Sequence, residues 1–206
     1  MRYLQFYELM RCFTVFSLAD IRTVDPGFHR RRLTEWQQKG YLRKIIKGYY
    51  MFSEISLCEE ILFEVANRIY SPSYVSLESA LSHHGLIPEG VYRICCLSTR
   101  RTYRFETTLG QMTYGHVLPR LFFGYDLVGY GQNKTFKLAR PEKAILDYLY
   151  SRPALCNEDD FTSLRLHPER FSELVEEGPL FACLQRFGQK SLDRRLKTLW
   201  RTMQHA

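Results

Sequence analysis

The chain has 206 residues, of which 45% are hydrophobic and 25% charged, a balance typical of a folded protein and not of a disordered one. It contains no apolar run long enough for a membrane span, and its N-terminus lacks the form of a signal peptide, so we expect a cytoplasmic protein. The net charge of +7 is uneven, because residues 1–52 hold ten basic and four acidic side chains, and the other 154 residues carry only +1. This distribution indicates a polyanionic partner at the N-terminal end.

The first residues predict two short helices. Tyr3, Tyr7 and Met10 recur at helical spacing and indicate the first helix. Ser17 is a favourable N-cap for a second helix, whose apolar side would include Ile21.

The pair Asp25-Pro26 predicts the start of a third helix, with Asp25 as the cap, and Gly40 predicts its end. Leu33 and Trp36 share one face of this helix and should pack on the first two helices, with His29 leaning towards them. The opposite face would carry Arg31, Thr34 and Gln38, with Arg30 beside them.

Residues 42–52 then predict two short strands around a Lys47-Gly48 turn. A helix, a glycine stop and a basic hairpin follow one another in this order in a winged helix-turn-helix, which binds double-stranded DNA. Arginine on the third helix can bind guanine edges, and basic hairpin residues can contact phosphates. The candidate DNA-binding residues are Arg30, Arg31, Thr34, Gln38, Arg43, Lys44 and Lys47. Two alternatives stay open: a solvated basic face, or a winged helix that binds protein.

The remaining chain predicts a second domain. A linker helix is expected at about 54–70, followed by a helix that Gly85 ends. Strands are predicted at 91–98, 103–107, 111–117, 122–130 and 135–138. Helices are predicted at 142–150, 158–165, 168–177, 179–187 and 191–204. The expected fold class is α+β, with a winged helix-turn-helix at 1–53 and a mixed, mainly antiparallel sheet domain at 54–206 that has a helical C-terminal part from about 141.

Motifs for catalysis are sparse. The sequence has no glycine-rich phosphate loop, no G-x-S-x-G and no acidic residue followed two places later by lysine. Residues 158–160 are acidic, but such triplets are commoner as helix N-terminal charges than as metal ligands. His83 and His84 lie in an apolar helix and favour a structural role. The six cysteines show no C-x-x-C spacing, so we expect mostly buried free thiols. We therefore expect no enzyme activity, no metal and no cofactor.

Two basic segments lie outside the first domain. The segment 98–101 (STRR) is compatible with a phosphate or DNA-backbone contact, but a plain turn with solvated arginines is the favoured interpretation. In the last predicted helix, Leu192, Leu196 and Leu199 recur at helical spacing opposite basic residues, so this helix should pack on the second domain and expose a basic face.

Taken together, these segments resemble the AbiEi-type antitoxins of type IV, or abortive-infection, toxin–antitoxin systems. The resemblance covers roughly residues 15–150 and depends on the order and spacing of several blocks. These are LTEWQQKGYL at 33–42, KGYY at 47–50, SYVSLESAL at 73–81, GLIPE at 85–89, STRR at 98–101 and ARPEKAILD at 139–147.

The resemblance implies a transcriptional regulator that represses its own operon by binding the promoter, paired with a nucleotidyltransferase toxin. It also implies that the second domain neutralises the toxin, and it maps the DNA contacts onto the seven residues given above. Two other functions stay open: a ligand-responsive winged-helix regulator and, less favoured, a nucleic-acid-processing enzyme. No heptad pattern decides the oligomeric state.

Overall fold

The computed structural model describes residues 1–88, 90, 92–131 and 133–204. Its N-terminal elements are α1 (Tyr3–Met10), β1 (Phe16–Ser17), α2 (Leu18–Val24), α3 (Arg31–Gln38), β2 (Leu42–Ile46) and β3 (Tyr49–Phe52). The three strands form an antiparallel sheet in the order β1-β3-β2. The hairpin and its Lys47-Gly48 turn are therefore confirmed, whereas β1 was not predicted, because two residues are too few for an alternating pattern.

The rest of the described chain is also α+β, as predicted. Its first elements are α4 (Glu59–Ile69), β4 (Ser73–Val75), α5 (Leu77–His83), β5 (Arg93–Ser98), β6 (Tyr103–Thr107) and β7 (Gly110–His116). A short 3₁₀ turn, Pro119–Leu121, leads to β8 (Tyr125–Tyr130) and β9 (Lys134–Ala139). The helical end consists of α6 (Pro141–Ser151), α7 (Glu158–Ser163), α8 (Pro168–Leu174), α9 (Glu177–Phe187) and α10 (Lys190–Gln204).

Within the described residues, β4 to β9 form one mixed sheet in the order β6-β7-β5-β4-β9-β8. Three of its strand pairs are antiparallel, and the pairs β5–β7 and β4–β9 are parallel. This agrees with the predicted mixed, mainly antiparallel sheet. Val91, the predicted first residue of β5, and Glu89 of the GLIPE block lie outside the described residues.

The predicted start of the third helix is wrong. Asp25 caps the C-terminal end of α2, and its side chain accepts a hydrogen bond from the Gly27 N–H at 3.2 Å, so Asp25-Pro26 forms a turn. The backbone N–H of Phe28 donates to the Asp25 carbonyl at 3.0 Å, and the Phe28 ring is buried. Because Phe28 is buried in this turn, α3 begins only at Arg31. His29, which was expected to lean towards the buried face, is exposed. The Ser17 cap is confirmed, because its Oγ accepts from the Asp20 N–H at 3.3 Å.

Helix α4 also begins later than predicted, at Glu59 instead of residue 54. Cys58 has an extended backbone and occupies the position before the helix, and two glutamates follow in the first turn, where the helix dipole favours negative charge. Strand β8 begins at Tyr125 instead of residue 122, because the 3₁₀ turn and Gly124 precede it.

The buried hydrophobic residues form two clusters. The smaller one joins the three N-terminal helices to Leu42, Tyr50 and Phe52 of the hairpin. The larger one fills the sheet and the C-terminal helices, and it also includes Ile45 and Met51. Since side chains alternate across a strand, β3 is buried on both faces and forms a wall between the two clusters.

A buried ion pair ties α6 to the sheet. Lys143 and Asp147 are one helical turn apart on α6, both side chains are fully buried, and the Lys143 ammonium binds the Asp147 carboxylate. The hydroxyls of Tyr74 and Ser76 donate to the same carboxylate at 2.9 and 2.8 Å. Gly124 has φ +72° and lies so close that a Cβ there would be 3.0 Å from Lys143 Cγ, so this position requires glycine.

We expect Asp147→Asn to lower the free energy of unfolding by about 3 kcal/mol, because it leaves the Lys143 ammonium buried without a counter-charge. The double variant Lys143→Met/Asp147→Asn should regain most of this loss, since it buries no charge. Urea unfolding followed by circular dichroism measures both.

Lys197 and Asp193 provide the matched control, since they form an exposed pair with the same spacing at 2.9 Å. Asp193→Asn should change the free energy of unfolding by less than about 0.5 kcal/mol. An equally small effect of Asp147→Asn would contradict the structural role given to the buried pair.

Candidate nucleic-acid interface

Helix α3 presents a polar face to solvent. Arg30 precedes the helix, and Arg31, Thr34 and Gln38 follow at helical spacing; all four are exposed. The Arg31 Nε lies 3.6 Å from a carboxylate oxygen of Glu35, but the two side chains are 90% and 50% exposed. An exposed pair of this kind is weak, so the Arg31 guanidinium remains available to a stronger anion.

The opposite face of α3 is fixed by an aromatic cluster. Trp36 is buried, with its ring centroid 4.6 Å from that of Phe6, 5.5 Å from that of Tyr3 and 5.7 Å from that of Phe28. Aromatic pairs at these distances pack favourably, and together they hold the helix against α1 and the preceding turn. The buried aromatic contacts of Trp36 therefore hold α3 in place while its polar face stays exposed.

The hairpin adds two exposed lysines. Lys47 lies at the turn, where Gly48 has φ +94°, a conformation that side chains rarely adopt. Lys44 is two residues after Leu42 on β2, and it pairs with Tyr50 on β3. Because residues two apart share a strand face, Lys44 lies on the face whose Leu42 and Tyr50 pack against the helices.

Arg43, another candidate DNA-binding residue, lies on the hairpin face opposite to that of Lys44. It pairs with Met51, so it shares the face that packs towards the larger hydrophobic cluster. Its Nη2 donates to the carbonyl oxygens of Ser53 and Ile55 at 3.1 and 2.7 Å. The guanidinium therefore holds the segment that follows β3, and we leave Arg43 out of the phosphate contacts.

The outer edge of the hairpin is held by a contact that sequence reasoning missed. Thr108, in the turn between β6 and β7, donates its N–H to the Ile45 carbonyl at 3.1 Å and its hydroxyl to the Lys44 carbonyl at 3.0 Å. Residues separated by more than sixty positions carry no local signal for such a bond. Through it, the sheet fixes the backbone that carries Lys44.

The STRR segment forms an anchored turn. The Ser98 hydroxyl donates to the Pro72 carbonyl at 2.6 Å and accepts from the Arg100 N–H at 3.1 Å. The Arg100 guanidinium lies 4.3 Å from the ring centroid of Tyr70, a cation–π contact. These contacts favour the structural interpretation of this segment over a second phosphate site.

The two histidines and Asp160 of the acidic triplet have structural partners. The His83 Nδ1 lies 2.6 Å from a Glu59 carboxylate oxygen, and the His84 Nε2 lies 2.8 Å from the Ala139 carbonyl. Burial lowers the pKa of His84. The Asp160 carboxylate accepts backbone hydrogen bonds from Cys156 and Asn157, which lower its pKa and cap α7.

In the part of the chain that the structure describes, no group of three or more His, Cys, Asp or Glu side chains is arranged to hold a metal ion.

The prediction of mostly buried thiols is wrong, because Cys12, Cys58 and Cys156 are exposed, although all six cysteines are free. Burial does raise the pKa of Cys95 and Cys96.

None of the helices in the described ranges combines the length and the apolar character that crossing a membrane requires.

Comparison with known proteins adds no assignment to this geometry. No protein-family model matches the chain, and no curated protein matches it. The resemblance to AbiEi-type antitoxins therefore remains a prediction from the sequence blocks, and the interface has to be judged on its own residues.

Proposed function

We propose that the N-terminal residues form a winged helix-turn-helix that binds double-stranded DNA and that the protein is a transcriptional regulator. In this proposal α3 enters the major groove, Arg30 and Arg31 bind base edges and phosphates, and Thr34 and Gln38 contact neighbouring groups. Lys44 and Lys47 bind phosphates and set the register without reading sequence.

The observation that carries the proposal is the position of Lys44. It lies on the hairpin face that packs against the helices, and its strand β2 is in contact with α3, whose polar side chains are exposed. Basic side chains on a helix and on an adjoining hairpin are the arrangement that a duplex, with its groove and flanking phosphates, requires. The charge of residues 1–52 supports the same conclusion, because it accounts for +6 of the total +7.

Contacts that hold α3 and β2 in place support the proposal. Trp36 and the aromatic rings around it fix α3, and Thr108 fixes the edge of β2. A preorganised surface loses less conformational entropy when it binds, so more of the electrostatic attraction contributes to affinity.

We further propose, on the sequence resemblance, that the target is the promoter of the protein's own operon and that the second domain is the antitoxin part. The partner would be a nucleotidyltransferase toxin. No residue for toxin contact is assigned, since the resemblance supplies none.

A fluorescence-anisotropy titration at physiological salt tests DNA recognition directly. DNA from upstream of the gene should bind about 1,000-fold more tightly than a scrambled duplex of equal length. Equal and weak binding to both duplexes would exclude an operator-specific repressor, and it would favour a general anchor or a protein-binding module.

The salt dependence of binding tests the hairpin contacts. We expect Lys44→Ala/Lys47→Ala to weaken binding to all duplexes alike and to reduce the slope of log K against log salt by about two. The control Lys190→Ala/Lys197→Ala removes the same charge from α10 and should leave the slope unchanged.

Arg43→Ala separates a phosphate contact from a structural role in the same experiment. Because its guanidinium binds the Ser53 and Ile55 carbonyls, this variant should lower the urea midpoint but keep the wild-type slope at low temperature. A slope reduced by Arg43→Ala, or unchanged by the double lysine variant, would contradict the assignment of the hairpin.

The antitoxin role predicts that repression and neutralisation can be separated. A nucleotidyltransferase gene should lie directly downstream, and its expression alone should arrest growth. The full chain carrying Lys44→Ala/Lys47→Ala should still rescue growth while losing repression of its promoter. If the downstream gene encodes another class of protein, or if wild type fails to rescue, the antitoxin proposal is wrong although DNA binding can still hold.

A further inference from the structure

Helix α1 carries apolar side chains on its solvent side as well as on its buried side. Leu4 is 75% exposed and Leu9 is 47% exposed, and Val24 at the end of α2 is 41% exposed. These three residues line one open groove of about 710 Å³, together with Met1 and Pro26. The outer face of a surface helix is normally polar, and apolar side chains grouped at one place are typical of an interaction site.

The groove lies on the side of α1 that faces away from α3. Phe6 points inward, where its ring centroid lies 4.6 Å from that of Trp36 on the buried face of α3. Residues two apart on a helix point about 160° apart, so Leu4 is directed away from α3. A molecule bound in this groove therefore does not cover the polar face of α3.

The exposed side of α1 has the spacing of a surface that packs on another helix. Leu4 and Glu8 form one row, and Gln5 and Leu9 form a neighbouring row, with four residues between the members of each row. Met1 extends the second row beyond the start of the helix. Rows with this spacing are the ridges that fit into the grooves of a second helix.

The charges on this side of α1 have both signs, and their order along the helix makes α1 complementary to itself. Exposed Arg2 precedes the helix, and exposed Glu8 lies near its end. Glu8 contacts Arg11 at 3.3 Å, but both side chains are 61% exposed, so the pair is weak and the carboxylate can bind a second cation. When two copies of α1 lie antiparallel, the basic start of each meets the acidic end of the other, and the helix dipoles favour the same arrangement.

An antiparallel pair of α1 helices with its two-fold axis at Gln5 brings together both the apolar and the charged residues. Residues equally far from Gln5 on the two helices are then opposite each other. Met1 of one copy lies opposite Leu9 of the other, and Arg2 lies opposite Glu8. The Gln5 amide, which both donates and accepts hydrogen bonds, meets its own copy at the axis. The same patch on both subunits is what a two-fold interface requires.

We propose that this protein forms a homodimer in which two copies of α1 pack antiparallel, with Leu4 and Leu9 of each copy in the groove of the other. Two helices about 12 Å long cover less than the roughly 1,200 Å² of a stable complex, so the dimer forms reversibly as the concentration rises. The interface uses none of the residues assigned to DNA. Its test therefore requires no DNA, and its outcome is independent of the proposed function.

Analytical ultracentrifugation of the full chain over about a hundredfold range of concentration measures the association. The mean mass should rise from that of a monomer towards twice that value. Leu4→Glu should weaken the association about tenfold or more, because it places a charge in the apolar groove. Leu127→Glu is the matched control, since Leu127 is 66% exposed on β8 and lies outside the groove lining, and it should leave the association constant unchanged. Thermal melts followed by circular dichroism check that both variants are folded.

Charge reversal tests whether the occupant of the groove is a second copy. Arg2→Glu and Glu8→Arg should each weaken self-association several-fold, because each brings like charges together on both sides of the axis. An equimolar mixture of the two variants should regain the wild-type association, since both contacts then join a carboxylate to a guanidinium.

A wild-type protein that stays monomeric at every concentration would overturn the proposal. So would self-association that Leu4→Glu leaves unchanged, since the contact would then lie elsewhere on the molecule. A mixture of the two charge variants that associates no better than either variant alone would exclude the antiparallel arrangement, and with it the proposal.

Discussion

The buried contact between Lys143 and Asp147 is the constraint on which the second half of the molecule depends. An ion pair without access to water is stable only with good geometry and further hydrogen bonds, and here the hydroxyls of Tyr74 and Ser76 provide them. Tyr74 belongs to β4 and Ser76 precedes α5, so one carboxylate fixes α6 against both elements. The C-terminal end of α6 is fixed as well, because buried Arg195 donates to the Leu149 carbonyl at 2.8 Å.

The position of the hairpin depends on its contacts with both hydrophobic clusters and with the turn between β6 and β7. Strand β3 places Tyr50 and Phe52 in one hydrophobic cluster and Met51 in the other, so the hairpin cannot shift without opening a core. Thr108 then occupies the carbonyl groups on the free edge of β2. The hairpin backbone is therefore held by the two hydrophobic clusters and by Thr108. Of the basic side chains in the hairpin, Lys44 and Lys47 are exposed, whereas Arg43 binds backbone carbonyl groups.

Local signals explain what the sequence could predict. The hairpin follows from alternation and a glycine turn, and the C-terminal helices follow from apolar periodicity with proline and glycine at their ends. The helix start predicted from Asp25-Pro26 was wrong because the same pair can begin a helix or form a turn. Which of the two forms depends on where Phe28 is buried. Lys143 and Asp147 have the spacing of an ordinary exposed helical pair, and only the tertiary fold shows that they are buried. One pocket is lined by residues 20, 67, 73 and 137, which no local pattern connects.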